Sequence, residues 1–240
     1  MGKIRIIVRG KLPMSMEYQK FCERLKEERM RISLSQMEIS RLLRMTQSHY
    51  SKAELGKRRL SYYEVQCLCE TDVDVYYVFT GERWQQIENN GFFMESTIEE
   101  MKCYLEMVCI LYMSLFKSKR LTLLGDVHKK IENIRYALMP CEKRKTVFYK
   151  LRRALNYNQK KMAEFMKVDI KKLRGMESGK ILPDSEIMCQ MMDVFSIPYA
   201  LLLNDKKGLI CEINSLLGLM EESKRIDVLE GMKFFHKTFC

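Results

Sequence analysis

Thr46, Gln47, Ser48, His49, Ser51 and Lys52 set hydroxyl, amide, imidazole and ammonium groups within one short stretch. A glutamine amide places a donor beside an acceptor, so Gln47 could pair with the N6 and N7 edge of adenine. Lys57, Arg58 and Arg59 follow Gly56 as a basic cluster, the chemistry that holds phosphates without reading sequence. Taken singly, such residues are ordinary solvated surface. What lifts them above that level is the pattern that contains them.

That pattern occurs twice. A shift of 123 residues superposes Ser35–Val65 on Asn158–Met188 without a gap, placing Gln36 over Gln159, Ser40 over Ala163, Glu54 over Glu177 and Gly56 over Gly179. Apolar residues fall at helical spacing in both copies: Ile39, Leu42, Leu43, Met45, Tyr50 and Ala53 in the first, and Met162, Phe165, Met166, Val168, Leu173 and Met176 in the second. Several short helices are predicted in each. Ser35, Thr46 and Ser61, like Asn158, Asp169 and Asp184, suit N-caps, and Gly56 and Gly179 suit a left-handed closing position. Tyr18–Met30 and Thr146–Leu155 supply a first helix to each copy.

The register of Gln36, Ser40, Met45, Thr46-Gln47-Ser48, Tyr50, Glu54 and Gly56, closing with Phe79-Thr80-Gly81, resembles the helix-turn-helix of the Cro and C1 repressor family, often called the Xre family. The resemblance implies five packed helices per copy, with the third entering the DNA major groove over about Gln47–Glu54. It implies that Gln36 meets a phosphate and steadies its neighbour, and that Gln47 is the first base reader. Thr46, Ser48, His49, Ser51 and Lys52 would lie near the groove, and Lys57, Arg58 and Arg59 over phosphates. The second copy resembles the family from about Val147 to Leu203. There Ile170 replaces Gln47, and Gln159, Lys167, Lys171, Lys172, Arg174 and Lys180 form a face better suited to phosphate contact. This copy is either a less specific DNA-binding unit or one turned to packing. Both copies depart from the family at the turn before the third helix, where Arg44 and Lys167 replace the usual glycine. A positive φ there would cost about 1 kcal/mol. Glu28 departs as well, since the second copy carries apolar Leu151 there and the family prefers leucine.

Composition agrees with a helical regulator. The 240 residues carry 42 basic against 31 acidic groups, a net charge of +11. Residues 1–82 hold +4 and residues 142–206 hold +6, whereas 83–141 hold +1 and 207–240 none, so the excess follows the repeated units. With 47% apolar residues, 11 Gly and 4 Pro, neither disorder nor a many-stranded sandwich is expected. Nine unframed cysteines read as reduced thiols, and the basic N-terminus lacks the form of a secretory signal, so cytoplasm is the expected compartment. His49, His128 and His236 join no ligand pattern, and no nucleophile elbow, Walker loop or dinucleotide loop is present. No metal, cofactor or catalytic residue is implied. The apolar run Cys103–Phe116 is fourteen residues long and carries Glu106, short of the roughly 20 residues that span a bilayer, and is read as a buried helix.

The expected organisation is all-α: two lambda-repressor-like five-helix helix-turn-helix domains, each followed by an α-helical hairpin. Residues 1–12 form an arm or short strand, 13–82 the first domain, 83–140 a hairpin, 141–205 the divergent second domain and 206–240 a second hairpin. The first hairpin pairs Glu95–Lys117 with Arg120–Leu138. Double-stranded DNA is the expected partner, bound by a sequence-specific transcriptional regulator, in the first place a repressor occupying an operator. Two arrangements compete: a homodimer paired through the hairpins, or an intramolecular pseudo-dimer. The alternative is a protein-interaction module, an antitoxin or a peptide-sensing regulator, with a protein or peptide partner at the hairpins.

Overall fold

The computed structural model describes residues 16–83, 91–117, 125–140 and 146–239. The arm at 1–12 and the segments 84–90, 118–124 and 141–145, with Arg120, Leu121 and Leu124, lie outside the described residues. Within them the chain is all-α, with fifteen helices. The first repeat comprises α1 (Met16–Arg31), α2 (Gln36–Leu42), α3 (Gln47–Glu54), α4 (Tyr62–Cys69) and α5 (Val75–Thr80). Next come α6 (Gly91–Glu95), α7 (Ile98–Lys117) and α8 (Gly125–Leu138). The second repeat comprises α9 (Val147–Ala154), α10 (Gln159–Phe165), α11 (Ile170–Glu177), α12 (Ser185–Phe195) and α13 (Tyr199–Leu203), followed by α14 (Lys206–Leu217) and α15 (Glu222–Phe239).

The repeat seen in the sequence is a repeat of backbone. Helices α2 and α10, and α3 and α11, begin and end at positions 123 residues apart. Ser35, Thr46 and Ser61 cap α2, α3 and α4 through their hydroxyls, and Asn158, Asp169 and Asp184 cap α10, α11 and α12 through side-chain oxygens. Each such cap satisfies a backbone N–H that the first turn leaves open, worth about 1 kcal/mol. Gly56 and Gly179 have φ of +67° and +72°, closing α3 and α11 in the left-handed region. Arg44 and Lys167 also take that region, at +55° and +48°, so the turn keeps its shape without glycine. Ser33 and Asn156 form a third matched pair, at +57° and +53°.

The cores match as well. Leu25, Ile39, Leu43, Tyr50, Ala53, Val65 and Leu68 are buried, and so are Phe148, Met162, Met166, Leu173, Met176, Met188 and Met191 one repeat later. Five of the second set are methionine, an unbranched side chain that adapts to irregular space. Each such burial contributes about 1.5–3 kcal/mol.

The apolar run inside α7 finds its cover within the chain. Met101, Tyr104, Leu105, Val108, Cys109 and Tyr112 recur at steps of three and four and are buried, with α7 packed on α8 and α14. The Tyr112 hydroxyl donates to the Leu216 carbonyl at 2.6 Å. Ile110 and Leu111, on the opposite side, stay exposed. Helix α14 therefore joins α7 and α8 in one helical layer. Glu95 belongs to α6 instead of α7, because Thr97 and Glu100 make reciprocal capping bonds that start α7 at Ile98. No helix among the described residues is long and apolar enough to cross a membrane.

The repeats meet along a seam of α1 against α12. Ser185, fully buried, donates its N–H to the Leu60 carbonyl at 2.9 Å and accepts the Leu60 N–H at 3.0 Å. Phe79 stacks on Tyr199 with ring centroids 4.3 Å apart. The reciprocal pair, α9 on α4, makes no comparable contact. The seam is thus heterologous: different surfaces of the two repeats meet, with no local dyad between them.

Candidate nucleic-acid interface

Helix α3 turns Tyr50, Ala53 and Glu54 inward, and this orientation leaves Gln47, Ser48, His49 and Lys52 exposed with Ser51 half-buried. Thr46, also exposed, accepts the His49 N–H at 3.2 Å. Its hydroxyl is therefore engaged in starting the helix.

Behind this face lies a polar chain. Arg29 donates to Glu54 from Nε at 2.6 Å and from Nη2 at 3.3 Å, and its Nη1 donates to the Leu34 carbonyl at 2.9 Å. The Glu54 side chain is 3% exposed, and its hydrogen bonds to Arg29 hold that guanidinium above its ordinary pKa. Gln36 Nε2 then donates to Glu54 Oε2 at 2.7 Å. Since the amide nitrogen must face the carboxylate, the amide oxygen faces α3, where Gln47 Nε2 approaches it at 3.4 Å. Two glutamines are thereby placed side by side on the exposed edge of α2 and α3.

The second repeat rebuilds this chain atom for atom up to its last link. Arg152 pairs with Glu177 through Nε and Nη2 and donates from Nη1 to the Tyr157 carbonyl at 3.0 Å, and Gln159 Nε2 donates to Glu177 Oε2 at 2.8 Å. Ile170, half-buried, offers no donor at the position of Gln47. Arg174 supplies it instead, donating from Nε to Gln159 Oε1 at 2.9 Å.

The basic residues divide into two groups. Lys57, Lys167, Lys171 and Lys180 are exposed. Arg58 instead donates to both Glu64 oxygens, at 2.9 and 2.6 Å, and Arg59 pairs with Glu186 across the seam. Lys172 pairs with Asp184 at 2.9 Å. These three expected phosphate contacts are engaged with carboxylates inside the chain.

Sequence reasoning missed Arg29 and Arg152, although both obey the same 123-residue shift as their glutamates. It also missed what Glu28 does. Fully buried, Glu28 accepts from Arg31, from Arg83 and from the Asp74 N–H, the last at 3.0 Å, tying α1 to the start of α5. Burial pushes this carboxyl up, but the two guanidinium groups and the N–H outweigh burial and hold it below its ordinary value. Arg83, three residues beyond α5 and 55 from Glu28, carried no local signal of that pairing.

Compared with family models, curated proteins and solved structures, the chain matches none of them.

Proposed function

We propose that this protein is a sequence-specific DNA-binding regulator of transcription, acting by operator occupancy through two Cro/C1-type helix-turn-helix units, α1–α5 and α9–α13. The observation that carries the reading is the contact of half-buried Gln36 with exposed Gln47, oriented from behind by Glu54 and Arg29. A glutamine whose amide is held at a helix surface can make the bidentate contact that distinguishes adenine. The excess positive charge on residues 1–82 and 142–206 supports the same reading, since it would draw a phosphate backbone to these units.

In this reading Gln36 positions, Gln47 reads, and Ser48, His49, Ser51 and Lys52 assist, with Lys57, Lys171 and Lys180 as the exposed phosphate contacts. The heterologous seam favours a composite site without a dyad for the single chain. A palindromic site would require a second chain, and Ile110 and Leu111 at the open edge of α7 favour the hairpins as the place for it. Selection from a random duplex pool tests the proposal. An enriched motif supports it, and weak binding that salt abolishes, with no motif, would favour a protein-interaction module instead.

A further inference from the structure

We propose that the second repeat reads a guanine through Arg174, an assignment that rests on the DNA-binding reading above. The polar chain behind the third helix holds a different side chain in each repeat. In the first, Gln36 meets Gln47, the first residue of α3, and in the second Gln159 meets Arg174, the fifth residue of α11. Arg174 is exposed and reaches Gln159 through Nε alone. Among the described residues its Nη1 and Nη2 take no partner, so a fixed guanidinium presents open donors to solvent.

The donors are fixed for a structural reason. Glu177 and Arg152 have side chains 6% and 9% exposed, and Glu177 sets the direction of the Gln159 amide. The Gln159 oxygen then anchors the Arg174 guanidinium at Nε and leaves Nη1 and Nη2 for a ligand. Guanine offers O6 and N7 side by side in the major groove, and a planar guanidinium matches that pair, whereas a lysine ammonium does not. A phosphate needs only a nearby positive charge and gains little from a buried chain of bonds holding the donor. Lys172 shows the contrast, since it is paired with Asp184 and held away from such a role. Ile170, on the same helix face as Arg174, suits the methyl group of a neighbouring thymine.

The test is selection from a random duplex pool with the full-length protein, its R174K and Q159A variants, and Q47A as an internal reference, each checked by thermal melting. Wild type is expected to enrich a motif containing a guanine whose preference falls about 5- to 150-fold in R174K. Positions that depend on Gln47 should persist in R174K, and its affinity for unrelated duplex should stay within about twofold, because the charge is kept. Q159A should relax the same guanine and no other position. The assignment is overturned if R174K leaves the motif unchanged, or weakens all sequences equally while the Gln47-dependent positions remain. Failure of wild type to enrich any motif would overturn the DNA-binding reading itself, and this assignment with it.

Discussion

The Gln36 amide nitrogen lies 2.7 Å from Glu54 Oε2, so a carboxylate buried beneath α3 decides which way a half-buried amide points. The same relationship holds between Gln159 and Glu177 at 2.8 Å. In both repeats an arginine 25 residues before the glutamate completes the arrangement. A buried pair of this kind links the interior to the surface: it joins the first and third helices of its repeat and also orients the glutamine at the edge of the candidate interface.

Glu54→Gln and Glu177→Gln should each destabilise the protein by about 3 kcal/mol, because each leaves an arginine charge largely buried without its partner. Urea unfolding should give similar losses for the two, since the bonds match atom for atom. A loss under 1 kcal/mol in either would mean that the pair is not holding its repeat together.

Arg44→Gly and Lys167→Gly should stabilise, or at worst leave stability unchanged. Both residues occupy the left-handed region, where glycine relieves about 1 kcal/mol of strain, offset in part by its greater freedom when unfolded. Thermal midpoints measure the net effect, and a clear drop in either variant would contradict the turn geometry.

Glu28 makes stability depend on pH in a definite direction. Its carboxyl titrates lower in the folded chain than in the unfolded one, so the stability it contributes is complete above the ordinary carboxylate range, about 4.3, and is lost as pH falls through its native pKa. Glu28→Gln should therefore cost about 1–3 kcal/mol at pH 7. The gap from wild type should narrow steadily below about pH 4.5 in denaturant titrations. A constant gap from pH 7 to pH 3 would rule out this coupling.

Ser185→Ala removes the hydroxyl that accepts the Leu60 N–H and reaches the Tyr18 hydroxyl at 3.3 Å. The variant should lose about 1–3 kcal/mol, the cost of an unsatisfied buried donor. If the seam is part of one cooperative unit, wild type unfolds in a single transition and Ser185→Ala moves the whole of it. Two separated transitions in wild type would show that the repeats fold independently.

Much of this was legible in the sequence because it is local. N-caps such as Ser35 and Asp169, the closing glycines Gly56 and Gly179, and the apolar rhythm of α2 and α3 depend on neighbours within a few residues. The short interval from Thr97 to Glu100 also carried a capping signal, one that a reading by hydrophobic period alone runs past. Pairings across distance were not legible. Arg59 meets Glu186 and Leu60 meets Ser185 only because α1 docks on α12, and nothing near Arg59 marks it for a carboxylate 127 residues on rather than a phosphate. The same applies to Arg83 and Glu28. At the candidate site, exposure of Gln47 followed from its place on α3, but the exchange of Gln47 for Arg174 as the side chain held by the glutamine required the folded chain.

In the proposed function Gln47 reads a base while the basic groups around it hold phosphates. This reading is tested most directly by measuring the affinity of wild type and Gln47→Ala for the selected duplex and for unrelated duplex across a series of salt concentrations. The account predicts that Gln47→Ala loses about 5- to 150-fold on the selected duplex. It also predicts unchanged affinity for unrelated DNA and an unchanged salt slope, because no phosphate contact is lost. Equal affinity of both proteins for the selected duplex, or an equal loss on both duplexes, would contradict it.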